Sequence, residues 1–110
     1  MRASQFQKTY INKRLNVNVE HIKNSLTPFD FYSYELPDAL LKKQGWNDGG
    51  LCPFHDDKNK GSFRINLTTG AFKCFACDIA GGDIIGFIMK RYGLQFTETL
   101  AKLADDWGLV

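Results

Sequence analysis

Cysteine is scarce in this chain of 110 residues: there are three, and an odd number of thiols cannot be fully paired within one molecule. A disulfide-stapled secreted scaffold is excluded, and a reducing, cytosolic setting is expected. The first twenty residues carry Arg2, Lys8, Lys13 and Arg14 with no apolar core between them, which excludes a signal peptide. No apolar run approaches the roughly 20 residues that a membrane span needs, the longest candidate lying around Ile84 to Met89. A soluble protein without a membrane partner is expected. A strong charge of one sign is also missing: the formal net charge is +2, too mild to indicate nucleic-acid binding by itself. What the chain does have is 44% hydrophobic residues, including nine Phe, four Tyr and two Trp, which excludes a disordered or collagen-like polypeptide. It is sized for one domain, and a domain this small buries only about two-thirds of its unfolded surface, so a metal staple would add useful stability.

The basic side chains fall in two blocks. Residues 1 to 27 carry a net +4 and residues 52 to 77 a net +2, while the stretches 28 to 51 and 78 to 110 are each −2. Residues 1 to 18 are polar without periodicity and read as an arm, leaving 19–110 as the folded domain. Val19, Ile22 and Leu26 are spaced for a short helix that Pro28 closes. Phe29, Phe31, Tyr32 and Tyr34 form an aromatic cluster expected in the core, and Pro37 is suited to open a second short helix through Leu40, Leu41 and Lys43 up to Gly45. Phe63 to Leu67 and Ala71 to Cys74 alternate apolar with polar around Thr68-Thr69-Gly70, predicting a hairpin with Gly70 in the left-handed position. Asp83 is a good N-cap for a helix that Gly93 stops, and Leu100, Leu103, Ala104 and Trp107 form the stripe of a final helix starting near Thr97 and ending at Gly108. No repeat or low-complexity segment interrupts this order.

The chemistry lies in Cys52-Pro53-Phe54-His55 and, after 18 intervening residues, Cys74-Phe75-Ala76-Cys77. A two-residue gap lets one tight turn aim two ligands at one ion, and two such knuckles joined through a hairpin complete the tetrahedron that zinc prefers. The spacing predicts a closed site of Cys52, His55, Cys74 and Cys77 around one structural Zn²⁺. All three cysteines are used. Buried free thiols would not need this spacing, and a redox pair at Cys74 and Cys77 would belong at the start of a helix in a βαβ unit. Four protein ligands leave no position for substrate, so a catalytic zinc is not expected. His21 reads as a solvated residue on a polar helix face. Asp56-Asp57 and Asp105-Asp106 read as solvated acids.

These knuckles, with Ser62-Phe63 opening a strand and Gly81-Gly82-Asp83-Ile84-Ile85-Gly86-Phe87 beyond them, closely resemble the zinc-binding domain of DnaG-type bacterial and phage DNA primases. The resemblance covers about 90 of the residues. Two positions depart from the family pattern: Gly61 stands where Pro is frequent before Ser-Phe, and Asp78 follows the last cysteine where Gly is frequent. The resemblance implies an α+β fold, a zinc ribbon flanked by short helices. It implies a module that reads single-stranded template DNA and positions it for primer initiation. In such primases a separate Toprim-type polymerase domain, in cis or in trans, carries the nucleotidyl transfer on a Glu and an Asp-x-Asp group, and a helicase is a further partner. This chain has no Asp-x-Asp, so no catalytic residue is assigned to it.

A hairpin with Phe63, Ile65 and Leu67 turned inward presents Arg64 and Asn66 outward, and the same alternation puts Lys73 and Phe75 opposite Phe72 and Cys74. Basic and aromatic side chains on one face suit a single strand, by phosphate neutralisation and base stacking. Lys58 and Lys60 either extend this surface or are plainly solvated. Phe75 either joins the exposed face or packs beneath the final helices. Two other readings stand beside the primase module: a free-standing zinc-ribbon DNA-binding or regulatory protein of a phage or mobile element, and a zinc ribbon that docks a protein partner.

Overall fold

Asn18 caps the first helix, its side chain accepting the His21 N–H at 2.8 Å. The structure, a computed structural model, describes residues 18–109. The arm expected over residues 1–18 therefore lies, apart from Asn18, outside the described residues. Helix α1 spans Val19–Ser25, and Thr27 then caps α2, Pro28–Glu35, with Pro28 in its first turn. This corrects the expected position of the second helix. Pro28 does end α1, but its fixed φ and missing N–H also make it a favourable first residue, so a new helix begins at once.

No helix forms over residues 37 to 45. The side chain of Asn47, buried, gathers that segment into a loop instead: its Oδ1 accepts the N–H groups of Lys42 and Lys43, and its Nδ2 donates to the carbonyls of Lys43 and Gly45. Each backbone group held this way is one that a helix would have needed.

Strand β1, Trp46–Asp48, follows directly. It pairs antiparallel with β2, Phe63–Asn66, which pairs with β3, Phe72–Cys74, which pairs with β4, Ala80–Gly81. The expected hairpin is the centre of this four-stranded sheet. Gly70 is left-handed at φ +86° and its carbonyl accepts the buried Tyr32 hydroxyl at 2.7 Å, tying the turn to α2. Gly81 allows the closest approach in the sheet, since a Cβ there would meet the Phe72 ring at 2.5 Å.

Helix α3, Ile84–Tyr92, starts from Asp83, whose side chain accepts the Gly86 N–H, and ends at Gly93 in the left-handed region. Helix α4 spans Phe96–Asp106, and the Gln95 N–H donates to Glu98 at 2.8 Å to secure its start. Leu103 and Ala104 are buried as the spacing predicts, with Leu100 and Trp107 half-buried. The core joins the helices to the inner sheet face through Phe31, Tyr32, Phe63, Phe72 and Phe87. Each such ring contributes about 1.5–3 kcal/mol by leaving water. Phe29 and Tyr34, expected in the core, are instead 50% and 74% exposed. A helix turns only one stripe inward, and Phe31 and Tyr32 occupy it. His21 is exposed but not merely solvated, because its Nε2 meets the Leu109 carbonyl at 2.6 Å and links α1 to the end of the described chain.

Candidate metal centre and nucleic-acid interface

The loop after β1 and the end of β3 bring the two knuckles together. The ligand atoms of Cys52, His55, Cys74 and Cys77 all lie within 4.8 Å of one another, the one such group of metal-binding side chains among the described residues. Cys52 Sγ is 3.9 Å from Cys77 Sγ, and Cys74 Sγ is 3.5 Å from His55 Nε2. Tetrahedral zinc with ordinary bond lengths separates two sulfurs by about 3.8 Å and a sulfur from a ring nitrogen by about 3.6 Å. The donor set and its spacing therefore fit one zinc ion with no protein ligand missing.

Local hydrogen bonds hold each knuckle. In the first, the Phe54 N–H points at Cys52 Sγ at 3.4 Å, and the Cys52 N–H donates to Asp57 Oδ2 at 2.8 Å. In the second, the Asp78 N–H returns to the Cys74 carbonyl, and the Cys74 N–H reaches Ile79. Burial pushes the Cys52 thiol well up. Burial also raises Cys74, but the N–H groups of Cys77 and Ala76 together with His55 outweigh it and hold that thiol below its ordinary range. Cys74 is thus the more easily ionised of the two thiols, and the charge of a bound zinc would favour the thiolate at both.

Asp57 was expected to be solvated, and the structure corrects this. Its side chain is 7% exposed and its Oδ2 lies 4.0 Å from His55 Nε2. The Cys52 N–H is the chief cause that holds its carboxyl below the usual range, despite burial. Asp56 points outward and approaches Lys58 at 3.9 Å. Asp106 pairs with Lys102 at 2.8 Å on the surface of α4.

The outer face of the sheet carries a shallow groove of about 580 Å³ lined by Trp46, Arg64, Lys73 and Phe75, with Ala80 and Gly81 at its far edge. Arg64 faces Asp48 across one strand boundary and Lys73 across the next. Phe75 is 68% exposed, so it joins this face and does not pack under the helices. Lys73 Nζ sits 3.2 Å from Asp78 and 5.6 Å from the centre of the Phe75 ring. Asn66 also faces outward, but its Oδ1 accepts the N–H groups of Thr68 and Thr69 and so serves the turn. Lys58 and Lys60 are exposed in the loop after the first knuckle and do not line the groove.

The profile of the CHC2 zinc finger, the zinc ribbon of DnaG-type primases, matches residues 16–110. The chain belongs to this family. A DNA primase of Listeria monocytogenes is 46% identical to the CHC2 finger over 65 residues, 59% of this chain and 10% of that protein. One of Rickettsia prowazekii is 38% identical over 90 residues, 82% of this chain and 14% of the relative. The crystal structure of the Aquifex aeolicus primase, comprising zinc-binding and RNA polymerase domains, superposes with a TM-score of 0.64 at 27% identity, over 81% of this chain and 21% of that one. The CHC2 finger thus corresponds to a small part of these relatives.

The two departures from the family pattern leave the ligand cluster intact. Asp78 adopts φ +66°, the left-handed conformation that glycine takes without penalty, so an acid here holds backbone geometry that suits the glycine frequent in the family. Gly61 has φ +110°, which proline could not adopt, so the approach to β2 follows a different course from one with proline. Two residues of the CHC2 finger's sites were not legible beforehand. Trp46 lies in a strand of three residues, too short to show alternation. Asp57 offered one signal, an acid two residues past His55 and able to turn back on its own loop.

Proposed function

We propose that the CHC2 finger binds single-stranded template DNA and assists primer initiation by a polymerase domain of the Toprim type, in cis or in trans. The observation that carries the reading is the outer sheet face, where Arg64 and Lys73 stand side by side with the exposed Phe75 next to them. A zinc ion held by Cys52, His55, Cys74 and Cys77 would fix the end of β3 against the first knuckle, so that this face is rigid when a flexible strand meets it. Two cations in register neutralise neighbouring phosphates, and an aromatic ring offers any base a stacking surface whatever its sequence. Lys58 and Lys60, exposed in the loop that leads to β2, are in this reading accessory contacts for phosphates that run beyond the groove.

The chain itself supplies positioning, and the catalytic metal site belongs to the partner domain; a helicase is a further partner in the same reading. Reduced thiols for zinc are maintained in a cytoplasmic setting. Among the described residues no helix is long and apolar enough to cross a membrane. The experiment is titration of the zinc-loaded chain with labelled single-stranded DNA at several salt concentrations. Binding should weaken steeply with salt, and Arg64→Ala and Lys73→Ala should each lower the slope of log K against log salt by about 0.7. Absence of any binding at low salt would refute the reading. A regulatory DNA-binding protein would bind duplex DNA as well as or better than single strands.

A further inference from the structure

We propose that Trp46 is a base-stacking residue and that, with Phe75, it makes the outer groove a site for the unpaired bases of a short single strand. This rests on the single-strand reading above and names what in the ligand is recognised. Three observations carry it. Trp46 lies on an edge strand and remains 44% exposed although it lines the same groove as Phe75, which is 68% exposed. Neither large ring is covered by the core that takes Phe31, Phe63, Phe72 and Phe87. Between the two rings stands the Arg64 and Lys73 pair, so the apolar walls enclose positive charge, a combination that fits bases attached to phosphates better than an apolar peptide.

The register gives the scale. Trp46 is opposite Asn66 on β2, and Phe75, past the end of β3, continues the ladder by donating its N–H to Ser62 at 2.9 Å. The two aromatics thus sit two strands and four residues apart, a diagonal of about 16 Å at ordinary sheet spacings. Arg64 lies midway along that diagonal, and Lys73 stands beside it on the strand that leads to Phe75. A strand of roughly three to five nucleotides covers the distance, with a base available to each ring and its phosphates passing the two cations. A duplex would not be accepted in the same way, because its bases are already stacked on one another. Asp48 on the Arg64 row and Asp78 beside Lys73 are the acids at the groove, and both tune its net charge downward.

Trp46 can report on its own contact. The chain has one other tryptophan, Trp107, which packs edge-on against Tyr34 on the helical side, so Trp107→Phe leaves Trp46 as the sole indole emitter. With a short oligo-dT strand, the Trp46 emission should change at saturation. Trp46→Ala and Trp46→Leu should weaken binding by roughly five- to a hundredfold, while Trp46→Phe, which keeps a ring plane, should stay within a few-fold of the starting chain. A sugar-phosphate strand of equal charge without bases should bind weakly and equally to the starting chain and to Trp46→Ala. Zinc content measured on every variant identifies any that has not folded, and Trp46→Phe and Trp46→Leu keep the comparison decisive should Trp46→Ala be among them. Unchanged oligo-dT affinity in Trp46→Leu, or unmoved Trp46 emission at saturation, would overturn the stacking role. Weakening by Arg64→Ala and Lys73→Ala in that same experiment would leave the single-strand reading standing. Failure of the zinc-loaded chain to bind any oligonucleotide would overturn both.

Discussion

The ring of Phe54, set between the first two cysteine-histidine ligand positions, meets the ring of Phe87 from α3 edge-on, with centroids 5.3 Å apart and planes at 74°. Phe54 also stacks on Phe72 at 5.7 Å. The knuckle is therefore built into the main core by its middle residue, and metal retention and global stability are linked through one aromatic cluster.

Phe87→Ala should cost about 3–5 kcal/mol, the usual range for deleting a buried aromatic ring. Because the lost contacts include the one with Phe54, the same variant should release zinc to a competing chelator faster than the starting chain. Thermal melting and chelator competition measure the two effects. A large loss of stability with unchanged zinc retention would show the knuckle to be independent of the core.

Removal of zinc should be felt beyond the loops. Structural zinc in finger peptides contributes about 10–16 kcal/mol, as much as the whole stability of a small domain. Chelation should reduce the ordered sheet signal in circular dichroism, and Cys74→Ser should abolish stoichiometric zinc uptake in metal analysis. Full zinc content in Cys74→Ser would contradict the four-ligand assignment.

Asp57→Ala should weaken zinc binding by roughly ten- to a hundredfold, as outer-shell substitutions commonly do. It removes the acceptor that holds the Cys52 N–H at 2.8 Å. Asp57→Glu can restore a carboxylate to the loop and should recover part of the loss, whereas Asp57→Asn keeps an acceptor without the charge. Competition with a chromophoric chelator ranks the three.

Asp83 carries a pH dependence of known sign. Burial raises its pKa, but the Lys23 ammonium at 2.8 Å and the N–H of Gly86 outweigh this and hold it below the ordinary carboxyl range. Its folded value is the lower one, so the ionised form contributes stability above about pH 4 that is lost as pH falls through the folded value. Asp83→Ala removes cap and ion pair and should cost about 1 kcal/mol from the cap. Asp83→Asn keeps a cap but loses the charge, so its deficit against the starting chain should shrink below about pH 4. Acid also strips zinc from thiolates, and the quantity to follow is the difference between the two chains at each pH in denaturant melts.

Asp78→Gly should both stabilise the loop and strengthen DNA binding. It relieves a non-glycine residue at φ +66° and removes the carboxylate 3.2 Å from Lys73 Nζ. A gain of about 1 kcal/mol in stability and tighter, more salt-sensitive binding of oligo-dT are expected. Weaker oligonucleotide binding would show that Lys73 needs Asp78 for its orientation.

Much of this was written in short-range patterns. The x2 spacing of Cys52 to His55 and of Cys74 to Cys77, the alternation around Thr68-Thr69-Gly70, and the Asp83 and Gly93 boundaries of α3 each depend on residues a few positions apart, where steric and hydrogen-bonding rules act without the rest of the chain. The same locality made the inward Phe63 and Ile65 and the outward Arg64 and Lys73 readable. Pro28 was ambiguous for the same reason: one proline can end a helix or start one, and nothing within its own neighbourhood chooses. Burial of Phe31 and Tyr32 against Phe87, 55 or more residues along the chain, chose.

Tertiary contact alone decided the remainder. The segment before Trp46 is a loop because the buried Asn47 takes up its backbone groups, and β1 and β4 exist because β2 and β3 offered free edges to three-residue and two-residue strands with no pattern of their own. Asp57 faces the metal centre because its carboxylate found the Cys52 N–H in a closed loop, and Trp46 shares a groove with Phe75 because register across two strand boundaries put them on one face. The ligands and the hairpin could be read from the amino-acid order because local geometry dictates them. The groove, the outer shell of the metal and the edge strands could not, because each is made by groups that become neighbours only when distant backbone segments satisfy one another's hydrogen bonds.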